Sequence, residues 1–292
     1  MFRYLLLLLG VAIMVANPAS ACDSGENCIE ENAWQFGVAI GVGARTNPLV
    51  DGDTIPLVLL PDIAWYGESA YFDNGELGYQ WQVSEAVNTE LYIAPNLEKA
   101  FFTFWHPANI LVTPTSALSS PDAPSIPGSG DNNGEGIEPR EISIDDIDDR
   151  DWSADIGFRT TWRHKQQSVA LTLANDALGV HNGHQVTLAY QYGWLIDDVT
   201  ISATASLAYK SASLVDYYYG IDAADTPDNE LWYRASQSWQ PSIGVRFSAP
   251  LSADWTLLGR FQYTALDSAM KDSPLVSESH VITAFFGVGY RF

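Results

Sequence analysis

The sequence predicts an all-β protein, an antiparallel up-and-down transmembrane β-barrel of about twelve strands. Three observations support this fold class: a closing aromatic strand, repeated alternating segments of about ten residues, and connections that are alternately short and long. A closed barrel pairs every backbone group inside the sheet. Lipid cannot form hydrogen bonds to a free strand edge, so a closed barrel is a structure that can span a membrane.

The N-terminus predicts export. Residues 1–21 have the form of a secretory signal, with Arg3 in the positive region, an apolar run over 4–15 and an Ala19-Ser20-Ala21 cleavage site. The apolar run is too short to cross a bilayer as a helix, and no later stretch reaches eighteen apolar residues. We therefore expect a cleaved signal, a periplasmic segment over 22–31 and a barrel over 32–292.

Two cysteines follow the signal. Cys22 and Cys28 lie six positions apart in an oxidising compartment, which favours a disulfide between them. The alternative is lipidation of Cys22, since the residues before it loosely resemble a lipobox, although Ala19 stands where a larger aliphatic residue is usual. Either modification would tether the end of the chain and would perform no chemistry.

Negative charge is concentrated in one segment. The chain has a net charge of −22, and residues 131–151 alone hold nine acids and two bases, a local charge of −7. This balance argues against nucleic acid and anionic membrane surfaces as partners. Residues 106–151, rich in Pro, Ser, Gly and acids, are predicted to form a long, mobile, solvated extracellular loop. Cation binding there is the weaker interpretation, because a spaced calcium-loop motif is missing.

The strands are predicted from period-two alternation. Apolar residues alternate with polar ones over 186–196, 199–210, 239–248 and 255–264, and over 281–292, where the apolar side ends on Tyr290 and Phe292. Tyr290 and Phe292 are expected to form the C-terminal signal that the barrel-assembly machinery recognises. The full set of predicted strands is 33–44, 55–66, 69–73, 76–84, 88–104, 152–164, 167–176, 184–196, 198–211, 237–249, 253–266 and 279–292.

The connections between these strands sort by parity. Every second connection is a short turn, whereas most of the others, at 45–54, 105–151, 212–236 and 267–278, are long. With the N-terminus in the periplasm, the short turns are periplasmic and the long loops extracellular, as in outer-membrane barrels. The strand before Asp73-Asn74-Gly75 is short, so ten strands is the alternative count.

A length estimate favours lipid over a second sheet as the covering of the apolar face. Trp152 and Trp162 share that face ten residues apart. At about 3.4 Å per residue and a tilt near 45° they are roughly 24 Å apart in height, close to the ~25 Å between the aromatic girdles of a barrel.

Basic residues collect at inward positions: Arg159, Arg163, Lys210, Arg246, Arg260 and Arg291. One interpretation is a cationic lumen that favours anions. The other is a set of ion pairs, with Asp155 and Glu90 among the partners, that fills a narrow barrel. The sequence leaves both open.

The motifs for catalysis or metal binding are weak. His181 and His184 lie three apart, but no carboxylate or thiol nearby in sequence completes a metal site, and a solvent-exposed turn is the favoured interpretation. Asp197, Asp198 or Ser273 could serve a rim-located enzyme, yet nothing in the sequence pairs with them. The prediction is therefore a non-enzymatic protein without cofactor or metal.

Several segments resemble the MipA/OmpV family of outer-membrane proteins. They are 36–50, 55–79, 215–221 and 271–292, and their most specific features are Tyr217-Tyr218-Tyr219-Gly220 and Ser273-Pro274. The acidic loop resembles an insertion relative to shorter members.

The resemblance implies a scaffold that links murein-remodelling enzymes, a lytic transglycosylase and a murein synthase, to the outer membrane. It carries over no catalytic residues. The alternative is a narrow porin-like channel for small solutes, with anions as one candidate class. The other expected partners are outer-membrane lipid and lipopolysaccharide.

Overall fold

The computed structural model describes residues 31–112 and 140–292. Its strands form one antiparallel sheet that closes on itself through β13 and β1, with twelve strands around the barrel. The predicted fold class and the count of twelve rather than ten are thereby confirmed. The signal segment, Cys22, Cys28 and the centre of the acidic loop lie outside the described residues.

The strands follow one another around the barrel in chain order. They are β1 Trp34–Arg45, β2 Ile55–Pro56, β3 Leu59–Tyr66, β4 Ala70–Asp73, β5 Glu76–Ser84, β6 Val87–Pro95, β7 Ala154–His164, β8 Gln167–Asp176, β9 His184–Ile196, β10 Val199–Lys210, β11 Ser238–Pro250, β12 Trp255–Ala265 and β13 His280–Arg291. The two-residue β2 pairs with the end of β1, beside β3, and is not one of the twelve strands of the barrel wall.

The closing seam depends on glycine. Strands β1 and β13 pair from Gly37 opposite Arg291 to Arg45 opposite Thr283, which places Gly41 opposite Gly287. A Cβ at Gly287 would lie 2.3 Å from the carbonyl oxygen of Ile40, a contact that real Cβ atoms do not make. The two strands can therefore approach this closely only without side chains at that point.

The outer face is apolar and exposed, as a lipid-facing surface requires. Along β1 the side chains of Phe36, Ile40 and Val42 are exposed, whereas Ala39 between them is buried. Exposed aromatic side chains lie near both ends of the barrel: Trp34, Trp81, Trp162, Trp194 and Trp255 at one end, and Trp105, Trp152 and Trp239 at the other. Such girdles mark the two interfaces of a bilayer.

Two predicted strands were wrong in extent. The strand expected over 88–104 ends at Pro95, because Asn96 caps a 3₁₀ helix at Leu97–Phe101 by accepting a hydrogen bond from the Glu98 amide at 3.0 Å. The strand expected over 55–66 is divided, because Leu57 turns into the interior and its amide bonds to the Gly43 carbonyl.

The connections retain their predicted parity, so we call the two ends of the barrel the short-turn end and the long-loop end. Three short helices lie in the long connections: α1 Pro107–Ile110, α2 Ala212–Tyr219 and α3 Ser268–Lys271; a second 3₁₀ helix spans Ile144–Asp146. No helix in the described part of the chain combines the length and apolarity needed to cross a membrane.

The long connections pack together into an apolar core at the long-loop end. We call this core the plug; its buried members are Leu49, Phe101, Ile142, Leu214, Val215, Tyr218, Tyr219, Ile221, Ala235, Leu266, Met270, Leu275, Val276 and Val281. All four long connections contribute to it. The described parts of these connections therefore cover the end of the barrel rather than extend from it into solvent.

The flanks of the acidic loop were also predicted wrongly. On the near side His106 and Asn109 are buried, and on the far side Ile142 and Arg150 are buried. Arg150 pairs with Asp225 at 2.7 Å and donates to the Gly220 carbonyl at 3.0 Å, which fixes this flank to the connection that carries α2. Solvation is thus wrong for 106–112 and for Ile142 and Arg150, whereas the acidic residues of 140–151 are exposed.

Candidate functional site

A cavity of about 630 Å³ occupies the lumen on the barrel side of the plug. One wall is apolar and is formed by Leu57, Leu60 and Phe285, with Val112 and Leu258 packed against them. The rest of the lining mixes apolar residues, such as Leu97 and Leu111, with polar and charged ones. Arg159, Arg246 and Arg260 all line this cavity.

Arg159 is held in a buried network. Its guanidinium contacts Glu90 at 2.7 Å and Glu76 at 3.0 Å, and it lies over the ring of Tyr92. Tyr71 donates to Glu76 at 2.6 Å, so the network joins β4, β5, β6 and β7. Glu90 was a predicted partner, whereas Glu76 was missed although it directly follows the Asn74-Gly75 turn.

Arg246 and Arg260 make a different arrangement. They lie directly opposite each other on β11 and β12, with both side chains on the inner face. Arg260 donates to Gln262 at 2.9 Å. Like charges at opposed positions of an antiparallel pair repel each other. This part of the cavity wall therefore brings two guanidinium groups together.

Lys210 lies between the barrel wall and the plug. It forms an ion pair with Glu98 of the 3₁₀ helix, and Tyr219 donates to the other oxygen of the same carboxylate at 2.5 Å. Burial by itself would raise the pKa of Glu98, but the Lys210 charge and the hydrogen bonds from Lys210 and Tyr219 lower it below its ordinary value. The carboxylate therefore stays ionised and joins β10 to α2.

His106 lies where the plug meets the cavity. It is the N-cap of α1, and its Nδ1 accepts a hydrogen bond from the Ala108 amide at 3.1 Å. Burial, with a further contribution from the Arg45 guanidinium, lowers the pKa of His106 to about 3. The imidazole is therefore neutral at physiological pH, which leaves Nδ1 free to act as the cap acceptor.

The predicted exposed histidine pair is wrong for one member. His184 is exposed, but His181 is buried, and its Nδ1 accepts from the Gly183 amide at 3.0 Å. Its Nε2 lies 3.4 Å from the side-chain nitrogen Nδ2 of Asn96 and 3.7 Å from the carboxylate oxygen Oδ1 of Asp155. Asp155, proposed as a partner for lumen arginines, instead accepts from Asn96 at 2.8 Å. No group of three metal-ligating side chains occurs in residues 31–112 and 140–292.

The other predicted basic positions lie towards the short-turn end. Arg163 lines a second, smaller polar hollow near the β7–β8 turn. Arg291 is exposed at the end of β13, opposite Gly37. Asp197 and Asp198 form the exposed turn between β9 and β10.

The two most specific sequence motifs meet in the plug. Tyr218 and Tyr219 are completely buried there, while Tyr217 is half-buried and its hydroxyl accepts from the Asp151 amide. The Gly220 amide closes α2 by donating to the Asp216 carbonyl. Ser273 donates to the Tyr219 carbonyl, and the Pro274 carbonyl accepts from Ile142. These residues therefore hold loops together.

Comparison with known proteins gives the family. A model of the MltA-interacting protein MipA family matches residues 36–292. The chain belongs to the MltA-interacting protein family. It is 23% identical to the MltA-interacting protein of Escherichia coli (strain K12), over 98% of this chain and 99% of that protein. It is also 21% identical to outer membrane protein Omp26La of Vibrio anguillarum, over 51% of this chain and 58% of that protein.

Solved barrels resemble this family member only distantly. OmpT of Vibrio cholerae covers 90% of this chain at a TM-score of 0.38 and 6% identity, and the N-terminal barrel domain of Pseudomonas aeruginosa OprF covers 48% at 0.25 and 15%. These values add nothing to the geometry described above. The closed sheet and the outer-membrane relatives together identify an outer-membrane β-barrel.

Proposed function

We propose that this barrel is a non-enzymatic anchor that holds a periplasmic murein transglycosylase, and with it a murein synthase, at the outer membrane. The observation that carries the proposal is the plug, since a barrel covered at its long-loop end presents its accessible surface at the other end. The family name supplies the partner class, because the relatives are described as MltA-interacting proteins.

The short-turn end offers apolar contacts for such a partner. Leu195 and Leu251 are strongly exposed at this end. Leu195 lines the polar hollow, and Leu251 lies in the turn after β11, so neither belongs to the lipid-facing row of a strand. Exposed aliphatic side chains outside the lipid belt are typical of protein contact surfaces. In the predicted orientation they face the periplasm.

Site-specific photo-cross-linking in cells tests the anchor. We would replace Leu251 or Asp198 at the short-turn end with p-benzoylphenylalanine, and use exposed Leu178 at the long-loop end as the matched control. Cross-links to a murein transglycosylase are expected from the first two positions and not from Leu178. Folded barrels that give no transglycosylase adduct from either short-turn position would contradict the proposal.

The channel alternative loses support from the same core. A conducting pore needs a continuous water path, whereas Tyr218, Tyr219, Met270 and Leu275 in the plug are completely buried. The two arginines of the cavity wall, Arg246 and Arg260, are therefore better explained by binding than by transit.

A further inference from the structure

Arg246 differs from the other basic residues of the lumen in its surroundings. It lines the cavity, yet it has no acidic partner within residues 31–112 and 140–292, in contrast to Arg159 and Lys210. Arg246 is partly exposed, so its guanidinium is accessible from the cavity. A guanidinium with no acidic partner keeps its donors and its charge available to an anion that enters the cavity.

The surrounding inner-face row has the shape of a binding site. From β9 to β13 the residues in register are Gly193, Ser202, Arg246, Arg260 and Phe285. Gly193 leaves space beside Ser202, whose hydroxyl is a further donor next to Arg246. On the other side of Arg260 the row becomes apolar. Two guanidinium groups and a hydroxyl therefore border an apolar surface within a single cavity.

The apolar surface is built to one side of the arginines. The Phe285 ring packs over β1 where a Cβ at Gly41 would lie 2.8 Å from the ring tip, so glycine at that position makes room for it. Leu258, one inward position from Arg260 along β12, packs against the same cluster. A ligand whose anionic end reached Arg246 would place its body against Leu258 and Phe285.

We propose that this cavity binds a small organic carboxylate with an apolar body. The planar carboxylate suits bidentate contact with the guanidinium of Arg246, and its negative charge offsets the repulsion between Arg246 and the opposite Arg260. The apolar wall selects for a hydrocarbon or aromatic body over a small hydrophilic anion. This inference does not rest on the transglycosylase proposal, since the cavity lies within the lumen and the partner contacts lie at the rim.

The test uses ¹⁹F NMR on the full mature barrel in non-ionic micelles. The probe is 4-(trifluoromethyl)benzoate, its uncharged match is 4-(trifluoromethyl)benzyl alcohol, and acetate tests the need for an apolar body. Saturable line broadening is expected for the benzoate, with affinity at least tenfold weaker for the alcohol and for acetate. Protein-free micelles correct for partitioning of the probes.

Variants locate the site. Arg246→Gln and Arg260→Gln should each weaken benzoate binding at least tenfold, while Arg163→Gln, a lumen arginine outside the cavity, should leave it unchanged. Arg246→Lys keeps the charge but loses the two parallel N–H donors of the guanidinium, and it should give intermediate affinity. Without ligand, Arg246→Gln should resist urea as well as the unaltered protein or better, because a repulsion is removed.

Three results would overturn the proposal. The first is unchanged benzoate affinity in a heat-modifiable, folded Arg246→Gln barrel. The second is equal affinity for the benzoate and the alcohol. The third is a lower urea midpoint for both Arg246→Gln and Arg246→Lys, which would assign Arg246 a structural role instead.

Discussion

The Ser273 hydroxyl donates a hydrogen bond to the carbonyl oxygen of Tyr219 at 2.6 Å, across 54 residues of sequence. Both residues are buried, and both belong to the motifs that the sequence singles out. The same hydroxyl accepts from the Leu275 amide at 3.2 Å. One side chain thus joins the end of α2 to the connection that precedes β13.

Removal of this hydroxyl should loosen the plug. Ser273→Ala leaves the buried Tyr219 carbonyl without its donor, which we expect to lower the free energy of unfolding by about 1–3 kcal/mol. Urea unfolding in lipid vesicles measures the loss, and hydrogen exchange should localise it to α2. Ser279→Ala, at an exposed position in the same connection, is the control. Equal effects of the two variants would contradict this role.

The ion pair between Lys210 and Glu98 should contribute far more than an exposed pair. Lys210→Met leaves the buried Glu98 carboxylate unpaired, for an expected loss of about 3–5 kcal/mol in the free energy of unfolding. Arg140→Met, which breaks the exposed pair with Glu230, should cost about 0–1 kcal/mol. The comparison is made by urea unfolding of both variants. A Lys210→Met loss no larger than that of Arg140→Met would show that Glu98 is not held as described.

Acid should destabilise the region around α1. The pKa of His106 is about 3 in the folded protein and near 6.5 when the chain is unfolded, so below pH 6.5 only the unfolded chain takes up this proton. Stability therefore falls as the pH drops from about 6.5 towards 3. His106→Asn retains a cap oxygen without the titration and should flatten this dependence, whereas exposed His164→Asn should not. The measurement is the protease sensitivity of residues 96–112 across this pH range. A pH profile of His106→Asn identical to that of the unaltered protein would refute the role of His106.

The barrel seam should not tolerate a side chain at Gly287. Gly287→Ala places a Cβ against the Ile40 carbonyl and the Gly41 Cα, both backbone atoms that cannot move aside. We expect failure of assembly, seen as loss of the heat-modifiable band in electrophoresis. Gly289→Ala, on the same face of β13, meets only the flexible end of Leu258 and should assemble. Normal assembly of Gly287→Ala would show that the seam adapts.

The barrel was predictable because strand alternation is a local signal. Each of the strands β7 to β13 lies close to its predicted bounds, since a two-residue period and a turn are enough to define it. The plug was not predictable in this way. Its burial arises from contacts between four separate connections. Such contacts produce no periodic pattern in the sequence of any one connection.

The candidate site was predictable only in part, for the same reason. The inward positions of Arg246 and Arg260 followed from parity, and Glu90 was foreseen as an ion-pair partner. The pairing of Arg159 with Glu76 depends on register, and that of Lys210 with Glu98 involves a segment assigned to the wrong element. One local signal was present, because Asn96 just after Pro95 is a strong N-cap residue and marks the end of β6. The burial of His106 and His181 had no comparable signal.

Planar-bilayer recording of the folded barrel tests whether the plug closes the lumen. We expect no stepwise conductance from the unaltered protein at either polarity. A variant in which residues 212–236 are replaced by a short Gly-Ser linker should conduct, since it lacks α2 and the Tyr218 and Tyr219 side chains. Regular conductance steps from the unaltered protein, of the same size as those of the linker variant, would show that the plug leaves the lumen open.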